Sequence, residues 1–141
     1  MDPGTPIRES LRLNADTAEL ERLIAWLDDF CERHGIPEEP HYHLNIAVEE
    51  LVLNAITHGR CSPAEGAISI DLTLCGRELD VAVSDTGRPF NPLEAPAPDL
   101  NRKLADRPLG GLGIYLVRTL MNSIENQHVN GENRVRLRKN W

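Results

Sequence analysis

The most constraining pattern in the sequence is a strict alternation of apolar and polar residues in two adjacent segments. In AISIDLTL, residues 67–74, isoleucine or leucine occupies every second position. In LDVAVSD, residues 79–85, leucine and valine do the same, and Gly76 and Arg77 separate the two segments. Such alternation places the apolar side chains on one face of a strand. The pattern therefore predicts a hairpin with one covered face and one solvated face.

Two helical segments are predicted to supply the cover. Asp16 followed by Glu19 is typical of a helix start, and Gly35 before Pro37 is typical of a helix end. The apolar stripe between them consists of Leu20, Leu23, Ile24, Leu27, Phe30 and Cys31. A second helix is predicted over about residues 38–58. Apolar residues cover more than half of its circumference, so we expect it to be nearly buried.

The remaining elements are a first strand, a long connection, a third helix and a final hairpin. Residues 6–13 alternate weakly and predict the first strand. Residues 86–110 hold five of the ten prolines, and a connection of this length is usually functional. The third helix has an apolar stripe of Ile114, Leu116, Val117, Leu120 and Met121. Asn130 and Gly131 predict a tight turn before the last strand.

This order of elements predicts the fold class. Strands joined as hairpins, with the helices grouped, favour an α+β two-layer sandwich. We expect a mixed, mainly antiparallel sheet with helices packed on one face, forming a single domain over residues 1–141. A row of basic residues in the last strand is open to two interpretations, a docking surface for an acidic partner or a solvated face. The row consists of Arg134, Arg136, Arg138 and Lys139.

Composition narrows the functional classes. The net charge of −7 and the pI of about 5.2 argue against a dedicated nucleic-acid binder, which normally presents a basic face. The three cysteines have no CxxC spacing, so neither a disulfide framework nor a structural zinc is indicated, and a reducing cytoplasm fits best. The N-terminal residues do not resemble an export signal, and no run of about 18 apolar residues indicates a membrane span.

A polar stripe interrupts the second helix in EELVLNAITHG, residues 49–59. Glu50 and Asn54 are four residues apart and therefore lie on one face, which Thr57 and His58 extend. One interpretation is a proton-accepting carboxylate beside an amide oxygen that ligates a cation such as Mg²⁺. The other interpretation is a solvated stripe on an amphipathic helix.

Two further signals are weak when taken singly. Asp85 has the same strand parity as the apolar residues before it, so we expect it on the covered face with a hydrogen-bond partner. That partner is either a ligand amino group, such as that of adenine, or the backbone of the following turn. Gly110, Gly111 and Gly113 precede a helix and either bring backbone N–H groups to phosphate oxygens or form a flexible loop end.

Together the three signals resemble the N, G1 and G2 boxes of the GHKL ATP-binding superfamily. Within it, EELVLNAITHG, SDTGRPFNP, APAPDL, RPLGGLGIYLVRTLMNSI and NRVRLRK are similar, in order, to motifs of the stand-alone anti-sigma-factor serine/threonine kinases of bacteria. The resemblance covers almost the whole chain. It implies the Bergerat fold of a histidine-kinase-like ATPase domain, with ATP and Mg²⁺ as cofactors.

The resemblance also implies roles for individual residues. Glu50 would be the general base that accepts the proton of a protein hydroxyl as it attacks ATP. Asn54 would hold Mg²⁺, and Asp85 would accept the adenine amine. Gly111 and Gly113 would present N–H groups to the phosphates.

The long connection would form the rest of the nucleotide site. By the resemblance, Gly87 would keep the turn open beside the base, and residues 88–109 would be a lid over the nucleotide. Arg107 is a candidate contact for the γ-phosphate, and a solvated loop arginine is the alternative interpretation. Asn91 stands where the subfamily often has aspartate. Asn133 stands where many GHKL proteins place a phosphate-contacting threonine.

Two functions follow from the resemblance. The first is an ATP-dependent protein serine/threonine kinase that phosphorylates an anti-sigma-factor antagonist protein and sequesters a sigma factor. The second is a non-catalytic binding module in which ATP orders the lid and so creates a partner surface. Composition and the apolar pattern lead us to expect no nucleic-acid partner, no membrane and a cytoplasmic location, and the resemblance allows a homodimer.

Overall fold

A five-stranded sheet forms one layer of the protein. This computed structural model describes residues 5–57, 67–86 and 111–141. The strands are β1 (Ile7–Leu13), β2 (Ile68–Cys75), β3 (Glu78–Asp85), β4 (Ser123–Val129) and β5 (Glu132–Asn140). Their order is β1-β2-β3-β5-β4, and every neighbouring pair of these strands is antiparallel. The prediction of a mainly antiparallel sheet is confirmed, and the described strands contain no parallel pair that would make it mixed.

Three helices form the second layer. They are α1 (Leu20–Arg33), α2 (Glu38–Thr57) and α3 (Gly111–Leu120). As predicted, Asp16 starts the first helical segment: its side chain accepts the N–H of Ala18 at 3.0 Å and caps a short 3-10 turn, Thr17–Glu19, before α1. Gly35 follows α1 with a φ of 64°, a left-handed conformation that favours glycine after a helix end.

The helices cover one face of the sheet, which confirms the α+β two-layer sandwich. The inward side chains form one cluster of buried residues. The sheet contributes Ile68, Ile70, Leu72, Leu74, Leu79, Val81, Val83, Val135 and Leu137, and the helices contribute Leu23, Leu27, Phe30, Leu44, Val48, Leu51, Val52, Ile114 and Val117. Each fully buried side chain of this kind stabilises the fold by roughly 1.5–3 kcal/mol. The alternation read from residues 67–85 is therefore the pattern of the core.

One apolar residue of α3 is placed differently from its prediction. Ile114 and Val117 are buried, whereas Leu116 is 37% exposed. Residues three apart share a helix face, and Leu116 lies about 100° from Val117 and about 160° from Ile114 around the helix. The predicted stripe was therefore one residue too wide.

The basic row of the last strand divides between the two faces of the sheet. Arg134 and Arg138 lie on the open face, where they contact Ser84 and Asp80 of the neighbouring strand. Lys139 has the opposite parity, and its Nζ donates to the backbone oxygen of Leu120 at the C-terminal end of α3. Lys139 therefore does not belong to a basic row on the open face, contrary to the grouping made from the sequence.

A polar contact fixes α1 against α2. Asp28 Oδ1 accepts a hydrogen bond from Asn45 at 2.9 Å and lies 2.6 Å from His41 Nε2. These hydrogen bonds, with Asn45 as the larger cause, lower the pKa of the Asp28 carboxyl. The contact helps to set the orientation of α2, the helix that carries Glu50.

Among the described helices, none combines the length and the apolar character that a membrane span requires.

Candidate functional site

Asp85 lies at the end of the central strand β3 on the helix-covered face. It is 9% exposed, and its Oδ1 accepts a hydrogen bond from Nδ2 of Asn133 at 3.0 Å. Asn133 is directly opposite on β5 and is 4% exposed. The prediction from strand parity, a buried and hydrogen-bonded Asp85, is confirmed. Burial of a carboxylate is costly unless polar groups surround it, and Asn133 is one such group.

Glu50 and Asn54 lie about one turn apart in the C-terminal half of α2. Asn54 is 5% exposed, and Glu50 is half-buried. The Oε1 atom of Glu50 is buried, and no group in the part of the chain that the structure describes donates a hydrogen bond to it. These two side chains are therefore not a solvated stripe. Thr57 differs from them: it is exposed, and its hydroxyl donates to the backbone oxygen of Leu53 in the same helix.

Burial changes the proton affinity of Glu50. It raises the pKa of the Glu50 carboxyl, and the negative charge of Glu49 raises it further. A carboxyl with a raised pKa is a better proton acceptor when ionised than an ordinary surface glutamate. A general base needs this property.

Two glycines of the third signal, Gly111 and Gly113, lie in the first turn of α3. The sequence predicts that these glycines precede the helix, whereas α3 begins at Gly111 and includes Gly113. Helix α2 packs against α3 and against β3 and β5, so the elements that carry Glu50, Asp85 and Gly111 are neighbours. Gly87, Arg107 and the predicted lid over residues 88–109 lie outside the residues that the structure describes, as do Gly110, Asn91 and His58.

Two residues beside Asp85 were not assigned this position from the sequence. By the resemblance Asn133 only stands in place of a phosphate-contacting threonine, and the motifs give His128 no role. The structure places the Nδ1 atom of His128 at 3.2 Å from Oδ1 of Asn133. The alternation of β5 offered a signal, because Asn133 shares the parity of the buried Val135 and Leu137.

Comparison with known proteins identifies the family. Residues 13–139 match the model of the histidine kinase-like ATPase domain. The chain belongs to this family. This match confirms the resemblance seen in the motifs. The name of the family, an ATPase domain, indicates that its members use ATP.

Several relatives of this ATPase domain have names that state an activity. Serine/threonine-protein kinase BtrW of Bordetella bronchiseptica is 26% identical over 92% of this chain and 91% of its own length. Serine-protein kinase RsbW of Listeria monocytogenes is 29% identical over 70% of this chain and 66% of its own length. The Anti-sigma F factor of Clostridium botulinum is 30% identical over 67% of each chain.

A solved structure supports the fold of the ATPase domain. The RsbU and RsbW domains of a Mycobacterium tuberculosis protein superpose on this chain with a TM-score of 0.71 at 17% identity. The match covers 95% of this chain and 32% of that chain. At this identity the likeness concerns the fold, and it agrees with the five-stranded sheet and its helix layer.

The side chains of this histidine kinase-like ATPase domain suit a magnesium nucleotide. In the described ranges, no group of three or more histidine, cysteine, aspartate or glutamate residues could hold a metal ion alone. Mg²⁺ in nucleotide sites usually needs only one or two protein ligands, because phosphates and waters supply the others. The buried amide of Asn54 can provide one oxygen ligand of this kind. A carboxylate such as Asp85 can accept a hydrogen bond from a base amine.

The buried Oε1 of Glu50, which accepts no hydrogen bond from the described residues, leads to a prediction about stability. Replacing Glu50 with glutamine is expected to stabilise the ATPase domain at neutral pH by about 1 kcal/mol, or roughly 3–4 °C in Tm. A carboxyl whose pKa is raised by folding stabilises the fold below its ordinary pKa and loses that contribution as the pH rises through the raised value. The gain is therefore expected at neutral pH and should vanish near pH 4, below the ordinary glutamate value of about 4.3.

Calorimetric melting curves at the two pH values measure this difference. Glu49→Gln is the matched control, because it removes only the smaller of the two causes that raise the pKa of Glu50. We expect it to shift the Tm less than Glu50→Gln does. Equal shifts at both pH values would show that the charge of Glu50 is not the source of the effect.

Proposed function

We propose that this protein is an ATP-dependent protein serine/threonine kinase of the anti-sigma-factor type. Its substrate would be a hydroxyl group on an anti-sigma-factor antagonist protein. The observation that carries the proposal concerns Glu50 in a chain of the histidine kinase-like ATPase family. Its Oε1 atom is buried, and no described group donates a hydrogen bond to it. A nucleotide-binding module without chemistry has no need for a proton acceptor with a raised pKa.

Glu50 would act as the general base of the transfer. The hydroxyl oxygen of the substrate forms a bond to the γ-phosphorus of ATP, and its proton passes to the Glu50 carboxylate. The bond between the γ-phosphorus and the bridging oxygen breaks, and ADP leaves with that electron pair. The half-buried position supports this role, because proton transfer is efficient when the acceptor pKa is raised toward the working pH.

The other site residues would bind and orient the nucleotide. Asn54 lies one turn after Glu50 and would contribute an oxygen ligand to Mg²⁺, which neutralises phosphate charge when bound. Asp85 would accept the amino group of adenine at the end of β3. Gly111 and Gly113 would direct backbone N–H groups of the first turn of α3 toward the phosphates.

The long connection belongs to the proposal through the resemblance alone. Gly87 would keep the turn beside the base open, residues 88–109 would close over the nucleotide, and Arg107 would reach the γ-phosphate. A sigma factor would be the second partner. The named relatives support this class of partner, since one is an anti-sigma F factor. A cytoplasmic location and a homodimer are further parts of this proposal.

A transfer assay with the purified protein tests the proposal. The protein is incubated with Mg-ATP and its cognate antagonist, and the antagonist is analysed for a phosphorylated serine or threonine by mass spectrometry. We expect one phosphate per antagonist and an equal amount of ADP. An antagonist with alanine at the acceptor position is the matched control.

The assay also discriminates against a binding module. If the antagonist binds in an ATP-dependent manner but no phosphate is transferred, the kinase proposal is wrong and the ATP-gated module takes its place. If ATP does not raise the Tm of the protein, the nucleotide-binding part of the proposal is wrong as well. A ligand at one hundred times its Kd is expected to stabilise the folded state by about 2.7 kcal/mol.

A further inference from the structure

Three polar side chains form a row across the strands beside the proposed base site. Asp85 on β3 lies directly opposite Asn133 on β5, and Asn133 lies directly opposite His128 on β4. The two-residue turn at Asn130 and Gly131 sets this register, with φ angles of 53° and 79° that fit a tight hairpin. A shift of one residue would move Asn133 to the open face, so the turn decides its position.

The row leads from the protein surface to the buried carboxylate. Asp85 is 9% exposed and Asn133 is 4% exposed, whereas His128 is exposed on the outermost strand. Hydrogen bonds join neighbouring members, at 3.0 Å between Asn133 and Asp85 and at 3.2 Å between His128 and Asn133. The row therefore connects an accessible imidazole with the carboxylate that is proposed to read the nucleotide base.

The chemistry of the row fixes the direction of both hydrogen bonds. A carboxylate only accepts, so the amide nitrogen of Asn133 must face Asp85 and the amide oxygen must face His128. That oxygen can only accept, so Nδ1 of His128 must carry a hydrogen. The opposite orientation of the amide would set its oxygen against an oxygen of Asp85. His128 therefore stabilises the only amide orientation that suits Asp85.

We propose that His128 and Asn133 are positioning residues that hold the Asp85 carboxylate in the orientation that selects an adenine amine. This inference rests on the proposed function, in which Asp85 accepts that amine. The hydrogen bond from Asn133 restrains rotation of the carboxylate about its terminal torsion, which is otherwise broad. Guanine carries a carbonyl oxygen where adenine carries the amine, and two acceptors repel. A well-held carboxylate therefore discriminates between the two bases more sharply than a mobile one.

A ligand-free measurement tests the direction of the row. The ¹⁵N chemical shifts of the His128 ring, recorded at an alkaline pH at which imidazole is neutral, report which nitrogen carries the hydrogen. We expect the hydrogen on Nδ1. A hydrogen on Nε2 alone would mean that Nδ1 of His128 does not donate to the oxygen of Asn133, and it would overturn the inference. This result does not depend on nucleotide binding.

A binding measurement tests the consequence. His128→Ala is expected to weaken ATP binding about three- to tenfold, the range for one lost side-chain hydrogen bond, and to narrow the preference for ATP over GTP. The transfer rate at saturating ATP should stay unchanged, because His128 does not contact the reacting atoms. His128→Asn should restore affinity and preference, since an asparagine amide can place a donor near the position of Nδ1. Isothermal titration with ATP and with GTP measures both quantities.

Matched controls separate this inference from the proposed function. Gln127→Ala changes the adjacent residue of β4, which lies on the open face opposite Arg134, and should leave both affinities unchanged. If the wild-type protein binds ATP but His128→Ala behaves like Gln127→Ala, or weakens ATP and GTP equally, the positioning role is wrong and the proposed function stands. If the wild-type protein does not bind ATP, the proposed function is wrong, and the role of His128 and Asn133 in base selection is then wrong as well.

Discussion

Replacing Glu50 with glutamine is expected to slow phosphoryl transfer by roughly 10²–10⁴-fold, the usual contribution of a general base. Glutamine has nearly the same shape as glutamate but cannot accept the proton of the attacking hydroxyl. ATP affinity should remain close to the wild-type value, because the proposed contacts to the nucleotide come from Asn54 and Asp85. Single-turnover transfer to the antagonist measures the rate, and isothermal titration measures the affinity.

Glu49→Gln is the matched control for this prediction. Glu49 adjoins Glu50 but lies about 100° away around α2, so it projects in a different direction. We expect its variant to transfer phosphate at nearly the wild-type rate. The melting curve of Glu50→Gln shows whether the variant is folded, and a Tm at or above the wild-type value excludes unfolding as the cause of lost activity. Transfer by Glu50→Gln within tenfold of the wild type would exclude Glu50 as the general base.

Much of the fold could be predicted because its signals are local. The alternation in residues 67–85 reports directly which side chains are buried, since a strand has a period of two. The same parity predicts Asp85 on the covered face without reference to any tertiary contact. The start at Asp16 and the turn at Asn130 and Gly131 were also predictable, because both depend on residues close together in the sequence.

The rest depends on contacts between distant parts of the chain. Asn133 is 48 residues from Asp85, and only the pairing of β3 with β5 shows that the two side chains meet. The burial of Oε1 of Glu50, to which no described residue donates a hydrogen bond, likewise depends on the packing of α2, which periodicity alone does not describe. Charge alone groups Lys139 with the arginines, whereas strand parity places it on the covered face, where it contacts the end of α3.

Replacing Asp85 with asparagine is expected to weaken ATP binding by about 10–100-fold, the range for a hydrogen bond to a charged group. The direction of the Asn133 hydrogen bond gives the reason. Nδ2 of Asn133 requires an acceptor, so the oxygen of the new amide would face Asn133 and its nitrogen would face the base. A nitrogen donor would then meet the adenine amine, which is also a donor. The affinity for GTP should fall less than the affinity for ATP, since the guanine carbonyl can accept a hydrogen bond from that nitrogen.

Titration with both nucleotides measures this change, and Asp80→Asn is the matched control. Asp80 lies on the same strand but faces the open side of the sheet, where it pairs with Arg138 at 2.9 Å. Its variant should bind ATP like the wild type. If a folded Asp85→Asn variant also binds ATP normally, Asp85 does not read the base. The expected pattern separates two steps: Asp85→Asn raises the ATP concentration needed for transfer, whereas Glu50→Gln lowers the rate even when ATP is saturating.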